Sequence, residues 1–195
     1  MKNVIIFGAT GDIGKHVVSE LLDRGYNVCP AARDLDFLDV RFGDKITKTL
    51  IEMDPDIIIN CAGIFGDNHE NVYKMMNVNF TPNWFIINHY LHFERKPIKI
   101  VMVGSSSYKS GKKNYMLYSA SKAALHNLWE GARDFFKGTE TTVNIVHPVR
   151  VRTKMVAPYD SNLDYLDPRV VACEIVDTAE TTTSSCKELS FEEYL

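Results

Sequence analysis

The chain has 195 residues, 45% of them hydrophobic, which predicts one globular domain over residues 1–195 with any site inside it. Its 22 lysines and arginines against 25 aspartates and glutamates give a net charge of −3, which excludes a general electrostatic attraction to nucleic acid or to an anionic membrane. Four scattered cysteines, with no secretory signal or spanning segment evident, favour a reduced, cytoplasmic protein.

Short apolar runs alternate with longer amphipathic stretches along the chain. This order is typical of an α/β fold of the Rossmann type, a doubly wound parallel sheet with helices on both faces. About seven strands are predicted, at Asn3–Phe7, Tyr26–Ala31, Leu35–Leu38, Asp56–Asn60, Ile98–Gly104, Thr142–His147 and Cys186–Phe191. The predicted helices are Asp12–Arg24, Gly43–Met53, Asn71–His92 with a break near Pro82, Tyr115–Lys137 and Pro168–Thr178.

The segment Gly8–Gly14, between the first predicted strand and the first helix, holds three glycines. In that context glycines permit a tight turn, and the backbone N–H groups at the start of the helix can hold a pyrophosphate. Lys15 also suggests a phosphate-transfer P-loop, but Ala9 and His16 do not fit that motif. The sequence therefore predicts a dinucleotide site formed by Gly8, Thr10, Gly11, Asp12, Ile13 and Gly14.

The residues after the second predicted strand indicate which dinucleotide binds. An acidic residue here would accept hydrogen bonds from the ribose of NAD(H), but the position holds Ala32, and Arg33 follows it. A guanidinium suits the 2′-phosphate of NADP(H), although Arg33 can instead pair with Asp34 or Asp36. We therefore expect NADP(H) to be preferred over NAD(H), with Arg33 at the phosphate.

Tyr118 and Lys122 are one helical turn apart and share a helix face. A neighbouring ammonium is expected to lower the tyrosine pKa from its ordinary value of about 10, so that the phenol exchanges protons with an alcohol or a carbonyl. Ser105, Ser106 and Ser107 follow a predicted buried strand, at the edge where open α/β sheets bind ligands. Hydride transfer to a carbonyl leaves charge on oxygen, which one serine and Tyr118 together could stabilise.

Several motifs in order resemble the short-chain dehydrogenase/reductase family over nearly the whole chain. They are Gly8-x-x-Gly11-x-Ile13-Gly14, Asn60-Cys61-Ala62-Gly63, Val78-Asn79, the serines after Ile98–Val103, Tyr118-x-x-x-Lys122, and Val143–Pro148 with Thr153.

The resemblance implies a role for each of these positions. Tyr118 would be the general acid/base, and Lys122 would hold the nicotinamide ribose. Ser105 would polarise the substrate carbonyl, and the neighbouring Ser106 is expected to bind the substrate. Asn79 would support a water that links Lys122 to solvent. The further cofactor contacts that it implies are Asp39, Val40, Asn60, Cys61, Ala62, Gly63, Pro148, Val149, Val151 and Thr153.

One segment departs from the family pattern. Val149 follows Pro148, where the family usually has glycine, and Arg150 and Arg152 come next. Their guanidiniums could capture a phosphate or carboxylate of the substrate, or could simply be solvated loop charges. The chain also resembles reductase domains that accompany cytidylyltransferases in surface-polysaccharide pathways and reduce a pentulose phosphate.

The leading hypothesis is an NADPH-dependent reductase acting on a ketone or aldehyde of a small substrate, with a phosphate as an option. A nucleotide-sugar epimerase or dehydratase, and a sensor that binds NADP(H) without turnover, stay open as alternatives. The long helix Tyr115–Lys137 predicts a homodimer or homotetramer, since such helices in the family pack against a partner subunit. His89 and His92 share a helix face without a third ligand, so no metal site is predicted.

Overall fold

The structure of the protein, a computed structural model, describes residues 1–31, 41–92, 96–158 and 163–194. Three predicted cofactor contacts, Arg33, Asp39 and Val40, lie outside these residues, as does the predicted strand Leu35–Leu38.

Within the described ranges, six parallel strands form one sheet in the order β2-β1-β3-β4-β5-β6. The sheet confirms the predicted fold class, and its six strands match six of the predicted ones apart from small shifts at their ends. Every residue of β3 and of β5 is buried, as expected for strands covered on both faces. The strands are β1 Asn3–Phe7, β2 Asn27–Ala31, β3 Ile57–Asn60, β4 Lys99–Val103, β5 Thr142–Pro148 and β6 Cys186–Leu189.

In the part of the chain that the structure describes, six α-helices connect the strands at the predicted places. The predicted break near Pro82 is confirmed, because one helix ends at Asn79 and the next begins at Thr81, with Pro82 in its first turn, where a missing N–H costs no hydrogen bond. The helices are α1 Gly14–Asp23, α2 Phe42–Met53, α3 Val72–Asn79, α4 Thr81–Leu91, α5 Met116–Phe135 and α6 Pro168–Glu180, and a short 3₁₀ helix spans Ser106–Lys109.

The sheet separates two apolar layers. On one face, Ile46 of α2, Ile86 of α4 and Trp129 of α5 pack on the sheet, and Trp129 Nε1 also donates to the carbonyl of Val143 at 2.9 Å. On the other face the layer includes Val17 of α1 and residues of α6. Because successive residues of a strand point to opposite faces, β1 contributes to both layers.

The order of the strands reverses between β1 and β3, which lie next to each other although β2 separates them in sequence. In open α/β sheets ligands bind at the carboxyl ends of the strands beside such a switch point. The glycine turn lies there. Gly8 has a φ of +74°, and a Cβ on it would lie 2.5 Å from the amide nitrogen of Ala62, while a Cβ on Gly14 would lie 2.1 Å from the carbonyl oxygen of Gly8.

The described residues also bear on membrane spanning and on the state of the cysteines. Among the helices of the described ranges, none combines the length and the apolar character needed to span a bilayer. Cys29, Cys61, Cys173 and Cys186 are all free thiols.

Gly14→Ala is expected to destabilise the protein, because the added methyl meets the backbone of Gly8, which cannot rotate away as a side chain can. The loss should be about 1–3 kcal/mol, as for other overpacked sites. Gly131→Ala is the matched control: nothing lies within 4 Å of its Cβ position in α5, so it should stabilise by about 0.5–1 kcal/mol. Urea unfolding of both variants measures the difference, and equal effects would contradict the packing of the turn.

Candidate active site

A cleft of about 770 Å³ opens at the carboxyl end of the sheet. The glycine turn, the loop after β3, the serines after β4, α5 and the segment after β5 surround it. Most of the predicted site residues line it, while Gly8, Asn60, Asn79 and Arg152 do not. Those that line it are Thr10, Gly11, Asp12, Ile13, Gly14, Cys61, Ala62, Gly63, Ser105, Ser106, Tyr118, Lys122, Pro148, Val149, Arg150, Val151 and Thr153.

Ser105 and Tyr118 meet in this cleft. The Ser105 side chain acts to lower the pKa of the Tyr118 phenol, and its Oγ accepts the amide N–H of Ser107 at 3.2 Å as the cap of the 3₁₀ helix. Ser107 is buried, and Ser106 lines the cleft beside them. Of the three adjacent serines, Ser105 is therefore the one whose side chain affects the pKa of the tyrosine.

Lys122 lies buried below the tyrosine, with 4% of its surface exposed. Its Nζ donates to the carbonyl of Val103, the last residue of β4, at 3.0 Å and lies 5.9 Å from the centroid of the Tyr118 ring. A Cβ on Gly63 would lie 3.6 Å from the same Nζ. The ammonium is thus held between the end of β4 and the loop after β3.

The prediction that Lys122 lowers the tyrosine pKa is wrong for this structure. Burial raises the pKa of Tyr118, and the hydrogen bond from Ser105 opposes that shift without reversing it. Burial also lowers the pKa of Lys122 to about 8. At neutral pH the phenol therefore keeps its proton, and most of the lysine stays charged.

The side chain of Asn79 hydrogen-bonds to the loop after β3 and does not line the cleft. Its Oδ1 accepts the amide N–H of Ile64 at 2.8 Å, and its Nδ2 donates to the carbonyl of Ile64 and to the hydroxyl of Ser121, both at 3.0 Å. Asn60 acts similarly, since its Oδ1 accepts the amide N–H of Ala62 at 3.0 Å. Both asparagines hold backbone that borders the site.

Asp12 joins two distant parts of the site. Its Oδ2 accepts the amide N–H of Lys154 at 2.7 Å, and its Oδ1 pairs with Lys15 at 3.1 Å. These contacts, the bond from Lys154 first, lower the pKa of the Asp12 carboxyl. The carboxylate thus fastens the segment after β5 onto the glycine turn, a contact between residues 142 positions apart that no local sequence pattern indicates.

The two arginines after β5 differ in position. Arg150 lines the cleft, where its Nε donates to the carbonyl of Asp164 at 3.2 Å and its guanidinium lies 5.0 Å from the centroid of the Phe191 ring. Arg152 is exposed and outside the cleft lining, so the expected pair of guanidiniums at the substrate is not formed. Two cations that the sequence analysis did not select, Lys112 and Lys154, do line the cleft.

A histidine supports Ser105 from outside the cleft. Nδ1 of His147 lies 3.1 Å from both the amide nitrogen and the carbonyl oxygen of Ser105, and a Cβ on Gly104 would lie 2.2 Å from the same nitrogen. No sequence motif indicates this role for His147, although its place near the end of the buried strand β5 puts it next to the serines.

Because Lys122 is buried, we expect the free energy of unfolding to depend on pH. The pKa of Lys122 falls from its ordinary 10.5 to about 8, so between these values the unfolded chain holds a proton that the folded chain has released. Lys122 should therefore make the free energy of unfolding rise with pH in this window, by up to about 3 kcal/mol. In Lys122→Met this rise should be absent, as measured by urea unfolding at each pH. The same rise in both proteins would contradict the buried position of the amine.

Comparison with known proteins supports the motif-based resemblance. Residues 41–164 match the family model for short chain dehydrogenase. The bifunctional ribulose 5-phosphate reductase/CDP-ribitol pyrophosphorylase Bcs1 of Haemophilus influenzae is 24% identical over 98% of this chain and 44% of its own length. Retinol dehydrogenase 14 of Mus musculus is 26% identical over 79% of this chain and 62% of its own length. The chain thus spans roughly half of these two relatives.

Solved structures share the fold. A short chain dehydrogenase from Burkholderia cenocepacia J2315, in complex with NADP, has a TM-score of 0.82 at 17% identity, over 98% of this chain and 90% of that one. ElxO with NADP bound has a TM-score of 0.81 at 23% identity, over 96% of this chain and 97% of that one. With the family model covering more than half of its length, this chain belongs to the short-chain dehydrogenase/reductase family of oxidoreductases.

Proposed function

We propose that the protein is an NADP(H)-dependent reductase that converts a ketone or aldehyde of a small, phosphorylated substrate to an alcohol. The observation that carries this proposal is that Ser105, Tyr118 and Lys122 line one cleft, with the Lys122 ammonium 5.9 Å from the centroid of the Tyr118 ring. Two hydroxyls that meet in a cleft can both donate to one carbonyl oxygen. Such donors stabilise the negative charge that develops there during reduction.

The chain offers a fitting site for a dinucleotide. Gly8 and Gly14 leave no room for side chains, and the turn between them leads into the N-terminus of α1, which favours a pyrophosphate. The Burkholderia dehydrogenase and ElxO were solved with NADP, which supports the same class of cofactor here. The preference for NADP(H) rests on Arg33 in the sequence.

A bound nicotinamide supplies the hydride, and the side chains of this chain supply the proton and the charge stabilisation. The raised pKa of Tyr118 keeps its proton in place at neutral pH, which is the form needed to protonate the oxygen of a reduced carbonyl. Ser105 holds that oxygen beside the phenol. Lys122, still mostly charged at neutral pH and 5.9 Å from the centroid of the Tyr118 ring, would hold the ribose of the nicotinamide.

The charges around the cleft support a phosphorylated substrate. Three cationic side chains, Arg150, Lys112 and Lys154, line the cleft. Two carboxylates, Asp12 and Asp67, also line it, and Asp12 already accepts a hydrogen bond from the amide of Lys154. The name of the Haemophilus relative includes a reductase of ribulose 5-phosphate, a small ketone with a phosphate. Both observations favour a ketose phosphate or a similar compound.

Tyr118→Phe is expected to bind NADPH normally and to lose turnover by about 10²–10⁴-fold, because the proton donor is gone while the ring remains. The assay is NADPH oxidation with ketose phosphates and their unphosphorylated counterparts. Tyr115→Phe is the matched control: its ring also lines the cleft and contacts Phe65, as the ring of Tyr118 does, but the proposal gives its hydroxyl no proton to transfer. Equal activity of the two variants would remove Tyr118 as the acid.

Arg33→Ala is expected to raise the dissociation constant of NADPH by roughly 10- to 100-fold and to change that of NADH little, since a charge-assisted bond to phosphate is lost. Arg169→Ala, which removes an exposed arginine at the start of α6, controls for the change in net charge. Fluorescence titration with both nucleotides measures the constants. Parallel weakening of NADPH and NADH in Arg33→Ala would argue against the 2′-phosphate contact.

A further inference from the structure

Three side chains that commonly bind transition metals converge outside the cleft. His126 lies on α5, His147 near the end of β5, and Cys186 at the start of β6. The three donor atoms lie within 4.8 Å of one another, and Nδ1 of His126 lies 3.0 Å from Nε2 of His147. None of the three has a part in the proposed reaction.

The ring nitrogens that face away from this cluster lie near oxygen atoms that could receive a ring N–H. A histidine that binds a metal through one nitrogen usually gives the other N–H to a carbonyl or carboxylate, which fixes the ring. Nδ1 of His147 lies 3.1 Å from the carbonyl oxygen of Ser105, and Nε2 of His126 lies 3.8 Å from a carboxylate oxygen of Glu130. The two inward nitrogens, Nδ1 of His126 and Nε2 of His147, face each other 3.0 Å apart.

The surroundings hold the two rings in place. The ring of Tyr108 stacks on His126 and on His147, with centroids 4.1 and 4.0 Å apart, and the Tyr108 hydroxyl donates to Glu188. The nearby cations have partners, because Lys109 pairs with Glu188 and Arg133 pairs with Asp134 and lies over the Trp129 ring. The charges beside the cluster are therefore largely compensated.

We propose that His126, His147 and Cys186 bind a zinc ion or a similar divalent transition metal. Two imidazoles and one thiolate form a ligand set that zinc accepts, with a water in the fourth position. Ligands on one tetrahedral zinc lie roughly 3–4 Å apart, given metal–ligand bonds of about 2.0–2.3 Å. The histidine pair meets this spacing, and the Cys186 sulfur, on the edge strand β6, lies within 4.8 Å of both histidine nitrogens.

Such a metal would connect α5, β5 and β6 and would hold His147 against the backbone of Ser105. The site therefore lies directly behind the proposed catalytic serine without entering the cleft. Metal binding should raise the melting temperature, because a ligand that binds the folded chain stabilises it.

Cobalt(II) titration of the untagged, chelator-treated protein tests this site. One equivalent should bind and give the thiolate-to-cobalt charge-transfer band together with the visible bands of a tetrahedral ion. Cys186→Ser should lose the charge-transfer band, and His126→Ala should weaken binding by more than tenfold. Glu130→Gln, which alters only the partner of His126, should weaken zinc binding by about tenfold.

Cys173→Ser and His92→Ala serve as controls, since Cys173 lies on α6 and His92 caps the C-terminus of α4, and neither change should alter the titration. Binding that survives in Cys186→Ser with an unchanged spectrum would overturn the proposal, as would a wild-type protein that binds no cobalt and no zinc. All readouts are independent of catalytic activity, so failure of the metal site and failure of the reductase assignment are distinguishable.

Discussion

The hydrogen bond between the buried Lys122 ammonium and the carbonyl of Val103 is the contact on which the site depends. A charged amine is rarely buried without a partner, because leaving water is costly. Here the partner is the last carbonyl of β4, so the bond joins α5 to the carboxyl edge of the sheet. Tyr118, one turn earlier on α5, is thereby held beside Ser105, which follows β4 after a single glycine. The geometry of the proposed acid is thus a consequence of where the lysine is bound.

The sequence predicts where the site residues lie better than it predicts their pKa values. The glycine turn, the serines and the Tyr118–Lys122 pair are each local patterns, and parallel strands bring their ends to one edge, so the sequence predicts that they share a cleft. The pKa of Tyr118 depends instead on how deeply the phenol is buried, which only the packing of the folded chain determines. The spacing to Lys122 therefore predicted the wrong direction of the shift. The corrected direction is compatible with reduction, where the tyrosine must begin with its proton.

Contacts between distant segments account for the other features that the sequence analysis missed. Asp12 was assigned to the cofactor because of its place in the turn, but its carboxylate also anchors the segment after β5. Asn79 was assigned to a proton relay, and its side chain is used to hold the loop at Ile64. His126, His147 and Cys186 are far apart in sequence with no metal-binding spacing, and they meet because α5, β5 and β6 pack side by side. In each case the partner is set by tertiary packing.

Isotope transfer from the cofactor tests the central claim most directly. NADPH carrying deuterium at the reactive C4 position of the nicotinamide is incubated with the enzyme and the ketose phosphate that supports oxidation, and the product is analysed by mass spectrometry. The proposed reduction gives an alcohol with one deuterium on the former carbonyl carbon, formed in step with NADPH consumption. An isomerised product without deuterium, or no product while NADPH is bound and unchanged, would contradict it.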